Sequence, residues 1–256
     1  MLRLNLISYG TIIRKEIRRV LRIWSQTLLP PVITMSLYLV IFGKFIGSQL
    51  RNINGFSYME FIVPGIIMMS VITNSYTNVV SSFFQAKLQR HIEEILVTPT
   101  SAVTIILGYC TGGVFRGLSI GFLVTLFSTL FAKLHIHSAA VIFLFVLLTS
   151  TVFALAGMIN AILAKKFDDI SIIPTFVLTP LTYLSGVFYS ISLLPEFWQA
   201  VSKFNPILYM VNGFRYGFLG FADIDVPTGF GMLVLFAAIL FSTNLLLLKK
   251  GIGLKS

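Results

Sequence analysis

The sequence carries few groups able to do chemistry. It holds one cysteine, three histidines and nine acidic residues in 256 positions. A lone cysteine, Cys110, closes no intrachain disulfide and builds no cysteine-based metal site. Set inside an apolar run, it reads as a small packing residue. His135 and His137 share one short segment with no carboxylate or cysteine beside them, which argues against a metal centre on ligand grounds. No paired carboxylates and no nucleophile beside a base occur within the apolar runs. An enzyme working on lipid inside a membrane would need such a cluster. A nucleotide-binding phosphate loop is also missing. The nearest glycine spacing, Gly108 to Gly113, continues with Val114 and Phe115 where Lys and then Ser or Thr are required.

Charge is absent where the chain is most apolar. Phe61–Phe84, Ser138–Ala164, Ile170–Leu194 and Val226–Leu248 contain none; Thr27–Phe45 contains only Lys44, and Ala102–Ala132 only Arg116. A helix of roughly 20 apolar residues crosses about 30 Å of hydrocarbon. Backbone groups in lipid must be satisfied within the segment, so such runs are helical. Barrel strands would be about 10 residues long and alternate in polarity. The runs predict an all-α polytopic membrane protein with six transmembrane helices. Too little sequence remains for a soluble module, so residues 1–256 read as a single membrane domain, its transmembrane part spanning about 23–254.

Basic residues outnumber acidic ones 19 to 9. Thirteen of the 19 fall on alternate sides of successive runs: Arg3, Arg14, Lys15, Arg18, Arg19, Arg22, Lys87, Arg90, Lys165, Lys166, Lys249, Lys250 and Lys255. The opposite face has Lys44, Arg51, Lys133, Lys203 and Arg215. The positive-inside rule places both termini in the cytoplasm. This charge reports topology and contact with anionic membrane lipids, not nucleic acid. The N-terminus does not read as a cleavable signal, because its basic region is too long and its apolar run is of spanning length. Residues 3–24 form an amphipathic helix, with Ile13, Ile17, Val20, Leu21 and Trp24 on one face and the arginines on the other. Such a helix either lies in the headgroup plane or packs on a partner protein.

Between the runs, residues 85–101 predict a short charged helix ended by Pro99. Lys87, Arg90, Glu93 and Glu94 lie on its polar side, and Leu88, Ile92, Ile95 and Leu96 on its apolar side. It is either a solvated loop or a helix that fits a groove in a soluble partner. Asp168 and Asp169 sit in the next loop on the same face. Residues 190–225 are apolar but broken by Pro195, Glu196, Lys203, Pro206 and Arg215. They read either as short helices that enter the outer leaflet and return, or as a loop on the membrane surface. Pro174 and Pro180 predict bends in the fifth run. Gly113, Gly117 and Gly121 form a stripe for close helix approach, within a subunit or between two. Arg116, deep in its run, requires a partner or a watery cavity. Glu60 is one candidate partner; backbone carbonyls or the hydroxyls of Thr73 or Thr149 are another. A role for Arg116 in transport or gating is open on the same grounds.

The stretch Ile92–Ser101, IEEILVTPTS, resembles the first cytoplasmic loop of ABC-2-type permeases, in the subgroup of bacterial inner-membrane transport permeases. Pro64–Tyr76 resembles their second span, and Thr175–Gly220 their fifth span and outer re-entrant helices, with Pro180, Tyr183, Gly186, Pro195, Asn205, Pro206 and Arg215 in the family pattern. The resemblance implies a homodimeric exporter of lipids, drugs, glycans or polymers in the bacterial inner membrane. It implies a separate ATPase under each subunit, with ATP and magnesium on that partner and no cofactor on this chain. Arg90, Glu93, Glu94, Asp168 and Asp169 would then contact the ATPase. An ion-coupled secondary transporter is the alternative, though it would want titratable groups within the spans.

Overall fold

The computed structural model describes residues 2–47, 53 and 55–253. Arg51, Lys255 and the side chain of Lys44, counted above in the charge pattern, lie outside the described residues, as does part of the loop 47–57. Among the described residues no strand forms; Ile53 and Phe56 make one isolated bridge.

Helix α1, Leu2–Arg22, precedes a first apolar helix made of α2, Trp24–Thr27, α3, Leu29–Tyr38, and a wider π-type stretch, Leu39–Ile46. Prolines fall in the first turn of α3, where a missing N–H costs no helical bond. Next come α4, Tyr58–Leu88, α5, His91–Val97, α6, Ala102–Ser128, and α7, Ala139–Leu163. The long helices begin on side chains that cap. Ser57 and Glu60 form a reciprocal capping box for α4, while Ser101 and Ser138 accept from the first turns of α6 and α7. The last long helix, α12, Val226–Lys250, is capped by Asp225 and closed by Gly251 at φ 64°.

Among the described residues, five helices are long and apolar enough to cross a membrane: Trp24–Gly43, Tyr58–Leu88, Ala102–Ser128, Ala139–Leu163 and Val226–Lys250. The fifth apolar run differs from its expected form. It is helical from Asp169 only to Tyr183, as three successive five-residue pieces: α8, Asp169–Ile173, a π-type turn, Pro174–Leu178, and α9, Thr179–Tyr183. That length rises about 22 Å, less than the ~30 Å of a hydrocarbon core. Pro174 removes a helical donor where the ladder widens, and Pro180 opens α9. Beyond Tyr183 the chain turns through Gly186 at φ 73°. Hydropathy measures apolar content and not the continuity of the hydrogen-bond ladder, so the run looks longer in sequence than its helix is.

The segment 190–225 contains two short helices of unequal burial. Helix α10, Glu196–Lys203, buries only Ser202 and exposes Phe197 and Trp198. Helix α11, Pro206–Leu219, is capped by Asn205 and lies largely buried against α4, α7 and α12.

α4 is the centre of the bundle: 78% of its most apolar window is buried, against 17% for α12. It packs mainly on α6 and α7, and glycines make the approach possible. A Cβ at Gly113 would stand 2.5 Å from Val79 Cγ2 and 3.0 Å from Ala154 Cβ, and one at Gly121 3.0 Å from Val71 Cγ2. At Gly117 it would collide with Ser75 Oγ and lie 2.5 Å from Ser150 Oγ. The glycine stripe therefore faces α4 and α7 within the subunit. Gly117→Ala is expected to destabilise by about 1–3 kcal/mol through overpacking, read by thermal unfolding in detergent. Gly10→Ala, with nothing within 4 Å of the added atom, is expected to leave unfolding unchanged or raise its midpoint. Equal behaviour of the two variants would contradict the tight α4–α6–α7 contact.

Candidate functional site

The basic end of the bundle is where α4, α7 and α12 finish and α6 begins. After Leu88 the chain reverses through Arg90, at φ 62° and ψ 8°. This left-handed conformation is uncommon for a residue other than glycine. α5 follows for seven residues. It ends at Thr98, which is extended because Pro99 follows it. Of the four residues expected on one apolar side, Ile92 is buried and Ile95 packs at the edge of the core, while Leu88 and Leu96 face outward. Glu93, Glu94 and Val97 are exposed as well, Val97 at 88%. Two carboxylates flanked by outward leucine and valine make a small amphipathic face joined by short turns to α4 and α6.

α1 is tied to this loop. Asn5 Oδ1 accepts from the Ser101 N–H at 2.9 Å and the Thr104 hydroxyl at 3.2 Å, and the Ser8 and Thr100 hydroxyls lie 2.9 Å apart. Farther along, Ile12 and Glu16 fit over Gly108 and Gly112 of α6. Glu16 is fully buried. Its carboxylate accepts from Ser82 Oγ at 2.6 Å and from Arg19 at 3.0 Å, and Arg19 also donates to Asn78 Oδ1 at 2.9 Å. One face of α1 is thus locked to its own bundle, while Arg14, Lys15, Arg18 and Arg22 stay outside. The sequence reading passed over Glu16. Its signal was a single acid among bases, in register with Ile12 and Val20 at helical spacing.

The loop after α7 meets the same end. Lys87 Nζ donates to the carbonyls of Ile162 and Ala164, both at 2.7 Å, and Phe167 packs edge-on against Phe84 with centroids 5.2 Å apart. Asp169 Oδ2 accepts from the N–H groups of Lys165 and Lys166 at 2.8 and 3.0 Å, which holds its carboxyl below the usual range. Asp168 is exposed. The bundle therefore brings Arg90, Glu93, Glu94 and Asp168 to one end with outward side chains, while Asp169 shapes the loop.

Arg116 and Glu60 do not pair. Arg116 Nη2 donates to Asn74 Oδ1 at 2.9 Å and to the Thr27 carbonyl at 3.4 Å. Glu60 caps α4, and its Oε1 lies 3.9 Å from His135 Nδ1. Asn74 is fourteen positions along α4 from Glu60, about 21 Å of rise, so the vertical offset is too large. Of the hydroxyls considered for Arg116, Thr73 bonds its own helix at the Met69 carbonyl. The fully buried charge outside α1 is instead Arg215 in α11, stacked on the Phe61 ring at 3.9 Å and donating to the Gly186 carbonyl at 2.7 Å.

A groove of about 180 Å³ runs between α4 and the α8–α9 segment, lined in part by Thr73, Thr77, Thr175, Thr179 and Thr182. Thr73 and Thr77 donate to carbonyls of α4 at 3.0 and 2.7 Å, and Thr179 to the Pro174 carbonyl at 2.9 Å. Their remaining lone pairs give this surface a polar lining. The α8–α9 segment buries only Thr182 and exposes Ile172, Phe176 and Val177. It rests on the bundle by one edge.

Among known proteins, residues 8–219 match the family described as ABC-2 type transporter. The inner membrane transport permease YadH of Escherichia coli K12 is 56% identical over 256 residues, covering 100% of both chains. Nodulation protein J of Neorhizobium galegae is 23% identical over 247 residues, covering 96% of this chain and 94% of its own. The protein of that name from Rhizobium meliloti strain 1021 is 28% identical over 220 residues, covering 84% and 82%.

Proposed function

The chain belongs to the ABC-2 type transporter family, and from that membership we propose that it is the permease half of an ATP-driven exporter. It is a transport subunit and not an enzyme. Two copies assemble as a homodimer in the bacterial inner membrane, each resting on a separate ATPase that carries the ATP and magnesium. Both termini face the cytoplasm, so the basic end of the bundle meets the ATPase. The α8–α9 segment completes a set of six spans, and α10 and α11 form the outer re-entrant unit.

The observation that carries this reading is the outward face of α5, with Glu93, Glu94, Leu96 and Val97 exposed on a helix joined by short turns to two long apolar helices. A docked ATPase moves α5. Because α5 is joined to α4 through the short turn at Arg90, and Asn5 ties its loop to α1, the push tilts the centre of the bundle and not the loop alone. The Arg116–Asn74 bond passes the same displacement between α6 and α4. The exposed edge of α8–α9 and the threonine groove face the second copy and form one wall of the path. Glu60 stands at its outer end. Hydroxyls within an apolar wall suit an amphipathic, lipid-like, drug or glycan cargo.

The test is co-expression with a candidate ATPase bearing a phosphate-binding loop, purification in mild detergent, and reconstitution into vesicles. The expected result is a complex of two permeases with two ATPases, whose hydrolysis rises when the permease is present. A chain that never retains an ATPase, and moves solute on an ion gradient alone, would overturn the proposal in favour of a secondary transporter.

A further inference from the structure

A cavity of about 460 Å³ opens at the basic end, between the close of α4, the turn before α5, and the end of α7. Three cations from two stretches of chain line it: Lys87 and Arg90 from the close of α4 and its turn, and Lys165 from just beyond the end of α7. Its remaining wall is apolar, with Phe84, Leu88 and Leu163. Among the described residues no carboxylate oxygen lies within 4.0 Å of any of the three cations. Asp169, the nearby acid, has one oxygen engaged with the Lys165 and Lys166 N–H groups. Lys87 uses two of its three donors on the α7 carbonyls, which are neutral acceptors, and Asp169 acts on its charge only from beyond ion-pair distance. Arg90 is held in the left-handed region, which a non-glycine side chain adopts only at a cost.

We infer that this cavity binds the phosphate of an anionic phospholipid, with the first methylenes of an acyl chain against the apolar wall. Three cations drawn together from two chain segments, with Asp169 the one nearby acid and outside ion-pair distance, call for an anion. A concave site with one charged and one apolar side fits an amphiphile better than a free ion, which would gain nothing from Phe84 or Leu163. The position fits too, because positive charge at the end of a spanning helix lies at headgroup level. The bound lipid would brace the turn that carries α5.

The test uses the full chain purified in mild detergent. Palmitoyl-oleoyl phosphatidylglycerol, palmitoyl-oleoyl phosphatidylcholine and inorganic phosphate are titrated separately, with binding read by native mass spectrometry and thermal unfolding. The variant is Arg90→Gly/Lys165→Gln. Glycine suits a φ of 62°, so the variant folds and its lipid-free unfolding midpoint does not fall. Phosphatidylglycerol is expected to bind it roughly 30-fold more weakly than wild type, from about fivefold per basic residue near a membrane surface. Phosphatidylcholine binding should not change, and inorganic phosphate should not stabilise wild type. Equal phosphatidylglycerol binding by both proteins would overturn the inference. So would stabilisation by phosphate alone, which would mark a free-anion site. An equal loss in Lys249→Gln/Lys250→Gln would mark diffuse surface attraction instead. Unchanged lipid binding with loss of the ATPase would assign these cations to the partner surface.

Discussion

Replacing Arg215 with methionine is expected to destabilise the protein by about 3–5 kcal/mol, the range for removing one member of a buried ion pair. The guanidinium joins pieces of chain that are distant in sequence. It donates to the carbonyls of Gly186 at 2.7 Å and Phe61 at 3.3 Å, and stacks on the Phe61 ring. Its Nη1 stands 4.0 Å from Asp223 Oδ2, and each of those two atoms lacks any other partner. Asp223 is itself held by Ser190 Oγ at 2.6 Å, and its N–H donates to Asn212 at 2.8 Å. Methionine keeps much of the side-chain volume and supplies none of the donors. It leaves the Asp223 charge buried and the Gly186 carbonyl, at a positive-φ turn, without its donor. Lysine is no rescue, because one ammonium cannot bridge both carbonyls and stack on a ring. The cycle with Asp223→Asn separates charge from packing. The double variant should be less destabilised than the sum of the two single ones, since the stranded carboxylate is gone. Unfolding in detergent measures this. A loss below about 1 kcal/mol for Arg215→Met would mean that this network does not hold the outer segment.

The contrast between Arg215 and Arg116 shows what the sequence made legible. Both are single charges in apolar surroundings. Arg116 stood out because its run was otherwise uncharged. Arg215 lay in a stretch already broken by proline and charge, so composition placed it at the outer face, and only the fold brings it against Phe61, Gly186 and Asp223. The long helices were readable because twenty uncharged apolar residues leave the backbone one solution. Their starts are fixed by side-chain caps at Ser57, Ser101, Ser138 and Asp225, which the structure identifies. The fifth run was legible in its bends at Pro174 and Pro180 but not in its length, since hydropathy stays high past Tyr183 where the helix ends. Glu16 was not legible. An acid among arginines on an amphipathic helix looks solvated until Gly112 and Ser82 are seen to enclose it. The glycine stripe fixed that two helices approach closely, but its direction toward α4 and α7 required coordinates. Long-range partners are set by three-dimensional packing, and spacing along one chain does not encode them.

Reversing both acids of α5, Glu93→Lys/Glu94→Lys, is expected to weaken recruitment of the ATPase on the order of tenfold to a hundredfold, while leaving the fold intact. Both side chains are exposed and make no ion pair within 4.0 Å among the described residues, so their removal strands no buried group. The internal cost is confined to the helix dipole. Two cations in the first turn of a seven-residue helix lose up to about 1 kcal/mol each, and less in salt. The larger effect belongs to the proposed interface: if α5 docks on a basic surface of the ATPase, charge reversal turns attraction into repulsion and slows association. The readouts are the co-purified ATPase and the salt dependence of assembly. Wild-type assembly should weaken as salt rises, and the variant should lose that dependence. Acidic replacement of the contacting bases on the ATPase should restore binding to the variant alone. A variant that recruits the ATPase normally but no longer links hydrolysis to transport would place the main contact elsewhere and leave α5 as the lever. A variant that both recruits and couples as wild type would remove α5 from the contact. The exposed Val97 and Leu96 make a second, independent probe of the same face. Val97→Asp adds charge to a residue that is 88% exposed, so any loss of recruitment it causes must arise from the partner side of the contact.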